Sequence, residues 1–441
     1  MTHFGVICPP FSGHLNPLAA LGRELRSPPV QCSVRSPKPR LCPSRGHRVT
    51  FLQISDLEPK ILSEGLNFYP IGQSIYQPGE LAETLAQLGQ LSGIPALRYS
   101  LNFCQRMTAI ICQDTPAAIE AAGIEALLVD QMEPAGEAIA ELLNIPFISV
   151  CNAQAIHRSA DVPPFFTPWS YQNTWWARLR NHVTYYILDC SSQPILQVLN
   201  EYRQKWKLPT NPRLYASRSR LAQISQQSAA FDFPCAHLPK HFYYTGPLRN
   251  LSPYNVPFPF ERLTGQPLIY ASLGSMQNTK QEIFECIAAA CQALDVQLVI
   301  TLGSTLNTQG LQRLPGYPLV VQYAPQMEVI AKAKLTITHG GLNTVLDSLS
   351  YGVPLIAIPI TYEQPGNAAR IKWTGTGEVI PLTRLSISKL QAAIQRVLTE
   401  DFYLNNALRI KRSLLEAGGV KRAADIVEQS IQSEIVVSDH I

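Results

Sequence analysis

Residues 323–370 read YAPQMEVIAKAKLTITHGGLNTVLDSLSYGVPLIAIPITYEQPGNAAR, and their polar groups are spaced for holding a phosphorylated ligand. A strand over 335–338 feeds His339, Gly340 and Gly341, and a helix starts near Leu342. The glycines let the backbone come close to a ligand, and the fresh helix N-terminus presents free N–H groups and a positive dipole end. His339, Asn343 and Thr344 add donors there, which suits a diphosphate held without a metal or a lysine. Asp347 lies one turn beyond Asn343 on the same face, where a carboxylate can accept from two ribose hydroxyls. A second junction at 271–275 supplies Gly274 and Ser275 for close approach to a phosphate. A third puts Glu363 and Gln364 after a strand, placed for sugar hydroxyls, while Tyr323 and Gln326 offer an aromatic face and an amide to a base. Singly, each has a plainer explanation, since a Gly-Gly pair is usually a tight turn and an acid after a strand is usually solvated. Four strand ends with groups for base, phosphate, ribose and sugar point together to a nucleotide sugar.

A second constellation lies near the N-terminus. His14 stands in PPFSGHLNP (9–17), where the first strand meets the first helix, and Asp130 ends a strand over 126–129. Parallel strands bring such ends together, and an imidazole oriented by a carboxylate is a base for activating a hydroxyl. The alternatives are a helix-capping or core histidine and a turn acid. Asp114 is a rival partner but falls in a helical stretch. No HExxH, GxSxG or Walker sequence supports a protease, esterase or ATPase. No GxGxxG opens either half, which sets aside an oxidoreductase or epimerase.

The elements that must position these groups follow a β-α rhythm. Strands are expected at 4–8, 48–54, 126–129, 146–150, 268–273, 296–302, 319–322, 335–338 and 354–358, with helices at 387–399, 402–417 and from 421 on. The alternation predicts an α/β protein with parallel sheets. At 441 residues it is too long for one core, so two doubly wound domains are expected: 1–245, a linker over 246–266, and 267–441. Residues 27–44 carry five prolines and no periodicity and read as an exposed insertion.

The 338–347 segment THGGLNTVLD, with EQPGNAAR at 363–370, resembles the nucleotide-sugar signature of the inverting, UDP-dependent family 1 glycosyltransferases of the GT-B fold. It is similar above all to the bacterial macrolide-type and zeaxanthin-type enzymes. The resemblance implies that Gln326 flanks the uracil and His339 holds the diphosphate. Asn343 and Thr344 follow on the helix, Asp347 takes the ribose, and Glu363 with Gln364 takes the sugar. Three positions depart from the pattern: Tyr323 stands for the Trp of plant members, Asp347 for Glu, and Glu363 for Asp. His14 matches the family's base and Asp130 its partner. The implied activity moves a sugar, glucose first, from a UDP-sugar to the hydroxyl of a lipophilic acceptor such as a carotenoid, with inversion. It needs no cofactor and no metal, and belongs to secondary metabolism. A phenolic or polyketide acceptor is the second enzymatic reading. A UDP-sugar-binding protein without turnover is the reading from another class, which would follow if the 27–44 insertion disturbed the His14 helix.

Acceptor contacts are expected from the first domain, where Phe165, Trp169 and Trp175 stand in an aromatic-rich stretch. Ordinary core packing is the alternative. Trp175, Trp176, Arg178 and Arg180 also read as an interfacial patch for peripheral membrane contact. Lys plus Arg exceed Asp plus Glu only by 36 to 32, which gives no sign of nucleic-acid binding. No apolar run reaches the ~18 residues of a membrane helix, and the N-terminus has no secretory pattern, so a cytoplasmic protein is expected. The ten cysteines form no Cys-x-x-Cys pair and read as small buried residues. No obligate protein partner is expected.

Overall fold

The computed structural model describes residues 1–28, 45–91, 93–216, 218–249, 256–274, 280–303 and 314–438, with side chains to 434. Seven strands form the first sheet: β1 (His3–Ile7), β2 (Arg48–Gln53), β3 (Asn67–Pro70), β4 (Ala126–Asp130), β5 (Phe147–Cys151), β6 (Gln223–Ser225) and β7 (Phe242–Tyr244). Their order is β3-β2-β1-β4-β5-β6-β7, all parallel. Six strands form the second: β8 (Leu268–Ser272), β9 (Gln297–Thr301), β10 (Leu319–Val321), β11 (Ala333–Thr338), β12 (Leu355–Ala357) and β13 (Gly377–Val379). Their order is β10-β9-β8-β11-β12-β13, again all parallel. Every residue of β1, β4 and β8 is buried, because helices cover both faces of a parallel sheet.

Six helices belong to the first sheet: α1 (Ser12–Arg26), α2 (Glu58–Ser63), α3 (Glu80–Gln90), α4 (Gly93–Ala122), α5 (Pro134–Leu143) and α6 (Trp175–Lys205). The rest are α7 (Gln281–Gln292), α8 (Gln326–Ile330), α9 (Leu342–Tyr351), α10 (Gln364–Thr374), α11 (Ile387–Thr399), α12 (Asp401–Glu416) and α13 (Gly419–Ser438). The expected strands are present with ends shifted by one or two residues. The sequence reading passed over β3, β6, β7 and β13, which have three or four residues, too few for a periodicity to register.

The chain leaves the first sheet after β7, builds the second, and then returns. Val420, Ala423, Val427 and Ile431 of α13 pack into the core made by α1, β1 and β2. The expected insertion lies, from residue 29 on, outside the described residues, but its flanks are pinned. Arg45, nearly buried, pairs with Glu24 of α1 and with Asp425 and Glu428 of α13. The helix that carries His14 runs unbroken over its 15 residues.

Ligands in open parallel sheets bind where the strand order reverses, beyond the carboxyl ends of the two central strands. Those pairs are β1/β4 and β8/β11. The first brings His14 and Asp130 together; the second brings Gly274 and His339 together.

Candidate active site

His14 occupies the first turn of α1, which has no side-chain cap. Its Nδ1 lies 2.8 Å from Asp130 Oδ2 at the end of β4. Asp130 is fully buried and held from two more sides: Asn152 Nδ2 donates to Oδ2 at 2.6 Å, and the Met132 amide donates to Oδ1 at 2.8 Å. Burial opposes a charge on His14, but the Asp130 carboxylate outweighs it, and Glu363 adds to the same side. The imidazole is therefore raised above its ordinary value. Asp114 is elsewhere on α4, accepting from the Gly72 amide at 2.7 Å.

The second histidine faces different surroundings. His339 follows β11 with its ring lodged between two glycines. A Cβ on Gly274 or Gly341 would fall 2.6–2.8 Å from ring atoms of His339, so only glycine fits at either position. No carboxylate pairs with His339 among the described residues. Burial pushes its pKa down to about 4, with only a bond to the Ser272 backbone opposing. The ring is thus neutral at pH 7 and offers one N–H beside the start of α9. Thr344 is buried in that first turn. Ser275 lies outside the described residues.

Asn343 and Asp347, one turn apart on α9, are already engaged. Asn343 Nδ2 donates to the Gly13 carbonyl at 2.8 Å, next to His14 and across the cleft. Its Oδ1 accepts from Arg249 at 2.8 Å and from Gln226 at 2.9 Å. Asp347 accepts from Arg249 Nε at 2.8 Å and from Gln326 Nε2 at 2.7 Å, and Tyr270 donates to Gln326 at 3.1 Å. Tyr323 at the end of β10 is 54% exposed, its ring open to a stacking partner. Glu363 directly precedes α10 without a capping bond, and its carboxyl is raised by burial, with a backbone hydrogen bond and His14 pulling the other way. The sugar-side acid and the histidine base therefore feel each other across the cleft. Gln364 Oε1 accepts from the amides of Ile360 and Thr361, both at 2.9 Å, which fixes the loop carrying Glu363.

Sequence reading missed Arg249, Gln226, Asn152, Tyr270 and Tyr362. The last has φ of +54° and its hydroxyl lies 3.3 Å from Ser100 of α4, closing one side of the cleft. These residues stand in unremarkable stretches and meet the site only through the folding of distant segments. A left-handed tyrosine is the kind of backbone outlier that gathers at functional sites.

The three aromatic residues expected at the acceptor stand just before α6 and at its first position. Phe165 touches the second domain through its backbone: a Cβ on Gly366 would sit 1.8 Å from its carbonyl oxygen. Trp169 carries the Arg180 guanidinium at 4.1 Å, and Trp175 is 77% exposed. Among the described residues no hydrogen bond or ring contact joins any of them to His14 or Asp130. The same stretch instead builds the domain interface, where Tyr171, Phe233 and Trp373 form one aromatic cluster. Beside it Arg370 (1% exposed) pairs with Asp232 (4% exposed) at 2.7 Å and lies over the Phe233 ring. Breaking so buried a pair costs about 3–5 kcal/mol.

Two doubly wound domains facing across a cleft, with the His14–Asp130 pair on one side and the glycine-lined His339 on the other, have the architecture of the GT-B glycosyltransferases. The family profile described as "UDP-glucoronosyl and UDP-glucosyl transferase" matches residues 77–415, and the chain belongs to that family. It is 34% identical over 433 residues to the zeaxanthin glucosyltransferase of Pantoea ananas, covering 97% of this chain and 96% of that one. It is 33% identical to the enzyme of the same name from Pseudescherichia vulneris, covering 99% and 100%. The solved structure of the glycotransferase of kitacinnamycin superposes with a TM-score of 0.71 at 20% identity, over 98% of this chain and 99% of that one. The protein is a UDP-glycosyltransferase. No helix among the described residues is long and apolar enough to cross a membrane.

Proposed function

We propose that this enzyme transfers glucose from UDP-glucose to a hydroxyl of a carotenoid-type acceptor, with inversion and without a metal. The observation that carries the reading is the His14–Asp130 pair standing opposite Glu363 across the cleft. Asp130 engages Nδ1, which leaves Nε2 to take the acceptor proton. The acceptor oxygen attacks the anomeric carbon as the bond to the diphosphate breaks, so the proton ends on His14 and the negative charge on departing UDP. Asp130 stabilises the imidazolium. His339, Gly341 and the start of α9, with Asn343 and Thr344, stabilise the leaving group through fixed donors and a dipole. Gly274 and Ser275 let the phosphates approach, and Tyr323 with Gln326 holds the uracil. Asp347 takes the ribose, with Arg249 moving aside or sharing it. Glu363 and Gln364 bind the sugar. The full-length likeness to two zeaxanthin glucosyltransferases supports the acceptor class. The unbroken α1 and its paired His14 favour turnover over a binding protein.

The test is UDP release from UDP-glucose with and without hydroxylated carotenoids and a panel of phenols, in wild type and His14→Ala. Carotenoid-dependent release that disappears in the variant, while calorimetry still finds UDP binding, is the expected result. Release driven only by phenols overturns the acceptor, and no release at all overturns the enzyme reading.

We also propose a cytoplasmic enzyme with a peripheral hold on the membrane. Along one face of α6 most of Trp175, Leu179, Tyr186 and Ile187 is exposed, with Arg178 beside them. Apolar side chains at that spacing suit an interfacial helix. Flotation with anionic liposomes is expected to carry the protein upward, and to fail for Trp175→Ser with Leu179→Ser.

A further inference from the structure

Glu133 stands three residues beyond Asp130, at the residue that precedes α5. Its side chain makes no capping bond there, so it is not retained to start the helix. It is 7% exposed, and no described residue hydrogen-bonds its carboxyl. Glu137, one turn on, is different: it pairs with Arg218 at 3.1 Å. A nearly buried residue whose carboxyl takes no partner among the described residues is free to meet a ligand.

Its surroundings are those of the cleft floor. Glu133 interacts electrostatically with His14 and Asp130 on one side and with Cys104 of α4 on the other. Cys104 is accessible to water, yet burial and Glu133 push its thiol up to about 12. Phe103 and Phe11 pack ring to ring beside it, 5.5 Å between centroids, and Tyr362 closes the same side through Ser100. The residues around Glu133 on this side are therefore largely apolar, with one unclaimed polar group.

We propose that Glu133 binds the acceptor hydroxyl jointly with His14, the hydroxyl donating to the histidine and accepting from Glu133, and so selects a hydroxylated ring over its hydrocarbon counterpart. The inference rests on the glycosyl-transfer reading and adds a specificity residue to it. Donation requires the acid form, and Glu133 holds it: burial first and Asp130 second push it up to about 8, with His14 pulling the other way. A neutral acid also suits a lipophilic guest better than a carboxylate. After transfer the same bond runs to the glycosidic oxygen, so Glu133 neither gains nor loses a proton.

The groups facing Glu133 are known from every side. Asp130 and His14 approach from β4 and α1, Cys8 from the end of β1, Cys104 and Cys112 from α4, and Tyr215 from the segment after α6. The four last are raised by burial and stay protonated through pH 9. Glu363 and Tyr362 face the cleft from the second domain. Lys60 of α2, near Cys8, is brought down by burial to about 8 and needs its own control.

The experiment measures equilibrium binding of a carotenoid diol and of the parent hydrocarbon, both in detergent micelles, to the full chain between pH 6 and 9.5. Wild type is expected to prefer the diol at least tenfold at pH 7 and to lose that preference above pH 8 to 9. Glu133→Leu should abolish it at every pH with UDP affinity within twofold. Glu133→Gln, which still donates, should keep it at pH 7 and retain it at pH 9.5. Lys60→Met should behave as wild type. A Glu133→Leu protein that still prefers the diol overturns the proposal, as does a Glu133→Gln protein that loses the preference above pH 8. Should Glu133→Leu not fold, the Gln profile decides alone. Because binding is read without turnover, failure of glycosyl transfer and failure of this assignment give separate results.

Discussion

His14 and His339 occupy equivalent places, each just beyond a central strand of a doubly wound sheet, and each is largely removed from water. Their imidazoles nevertheless move in opposite directions. His14 has Asp130 at 2.8 Å and is raised; His339 has two glycines and a backbone carbonyl and falls to about 4. Burial is the largest influence on both, so the partner alone separates an imidazole that is raised from one that is lowered. One architecture used twice yields two chemistries because a single carboxylate is present in one half and replaced by close-packed glycine in the other.

The largest effect expected from disturbing this contrast is in Asp130→Asn. General-base assistance contributes about 10²–10⁴ in rate, and kcat should fall by at least 10²-fold with UDP binding intact. The pH profile sharpens the point. Activity needs neutral His14, so it rises with pH through the raised value in wild type. Without Asp130, burial is left to lower His14, and the acid limb should move to lower pH in the variant. An unmoved limb would mean that Asp130 only orients the ring. A smaller effect is expected on the other side, from Gly341→Ala. Its Cβ would displace the His339 ring, weakening UDP binding about tenfold, or about 1.4 kcal/mol by calorimetry, with the acid limb unchanged. Smallest is Arg249→Met, which frees Asp347 and Asn343 from one cation and should alter the KM for UDP-glucose a few-fold, leaving kcat nearly constant.

Much of this was legible in the sequence where the signal is local. The helix at 387–399 coincides with α11, and the glycines around His339 were readable because a strand, a Gly-Gly pair and a helix start follow one another directly. The His14–Asp130 pair needed only the rule that central parallel strands end side by side. Arg249 and Gln226 meet Asn343 from 94 and 117 residues away, and no local pattern carries that information. The aromatic stretch after 165 shows how such a signal stays ambiguous. Aromatic side chains suit a domain interface as well as a ligand cavity, and Tyr171 with Phe233 and Trp373 took the first use. Glu133 was equally invisible, since an acid before a helix ordinarily caps it.

The return of α13 to the first domain means that the chain crosses between the domains twice, and the two crossings touch. The Gly419 amide donates to the Thr245 carbonyl at 2.5 Å, and a side chain on Gly246 would meet the Leu414 carbonyl at 2.7 Å. Gly246, Gly418 and Gly419 all have positive φ, between +63° and +93°. The crossings thus form a double-stranded pivot at one edge of the molecule. Sliding one domain past the other would tear that contact, whereas rotation about it leaves the contact whole, so the geometry favours a hinge, as of a door hung at its side, over shear.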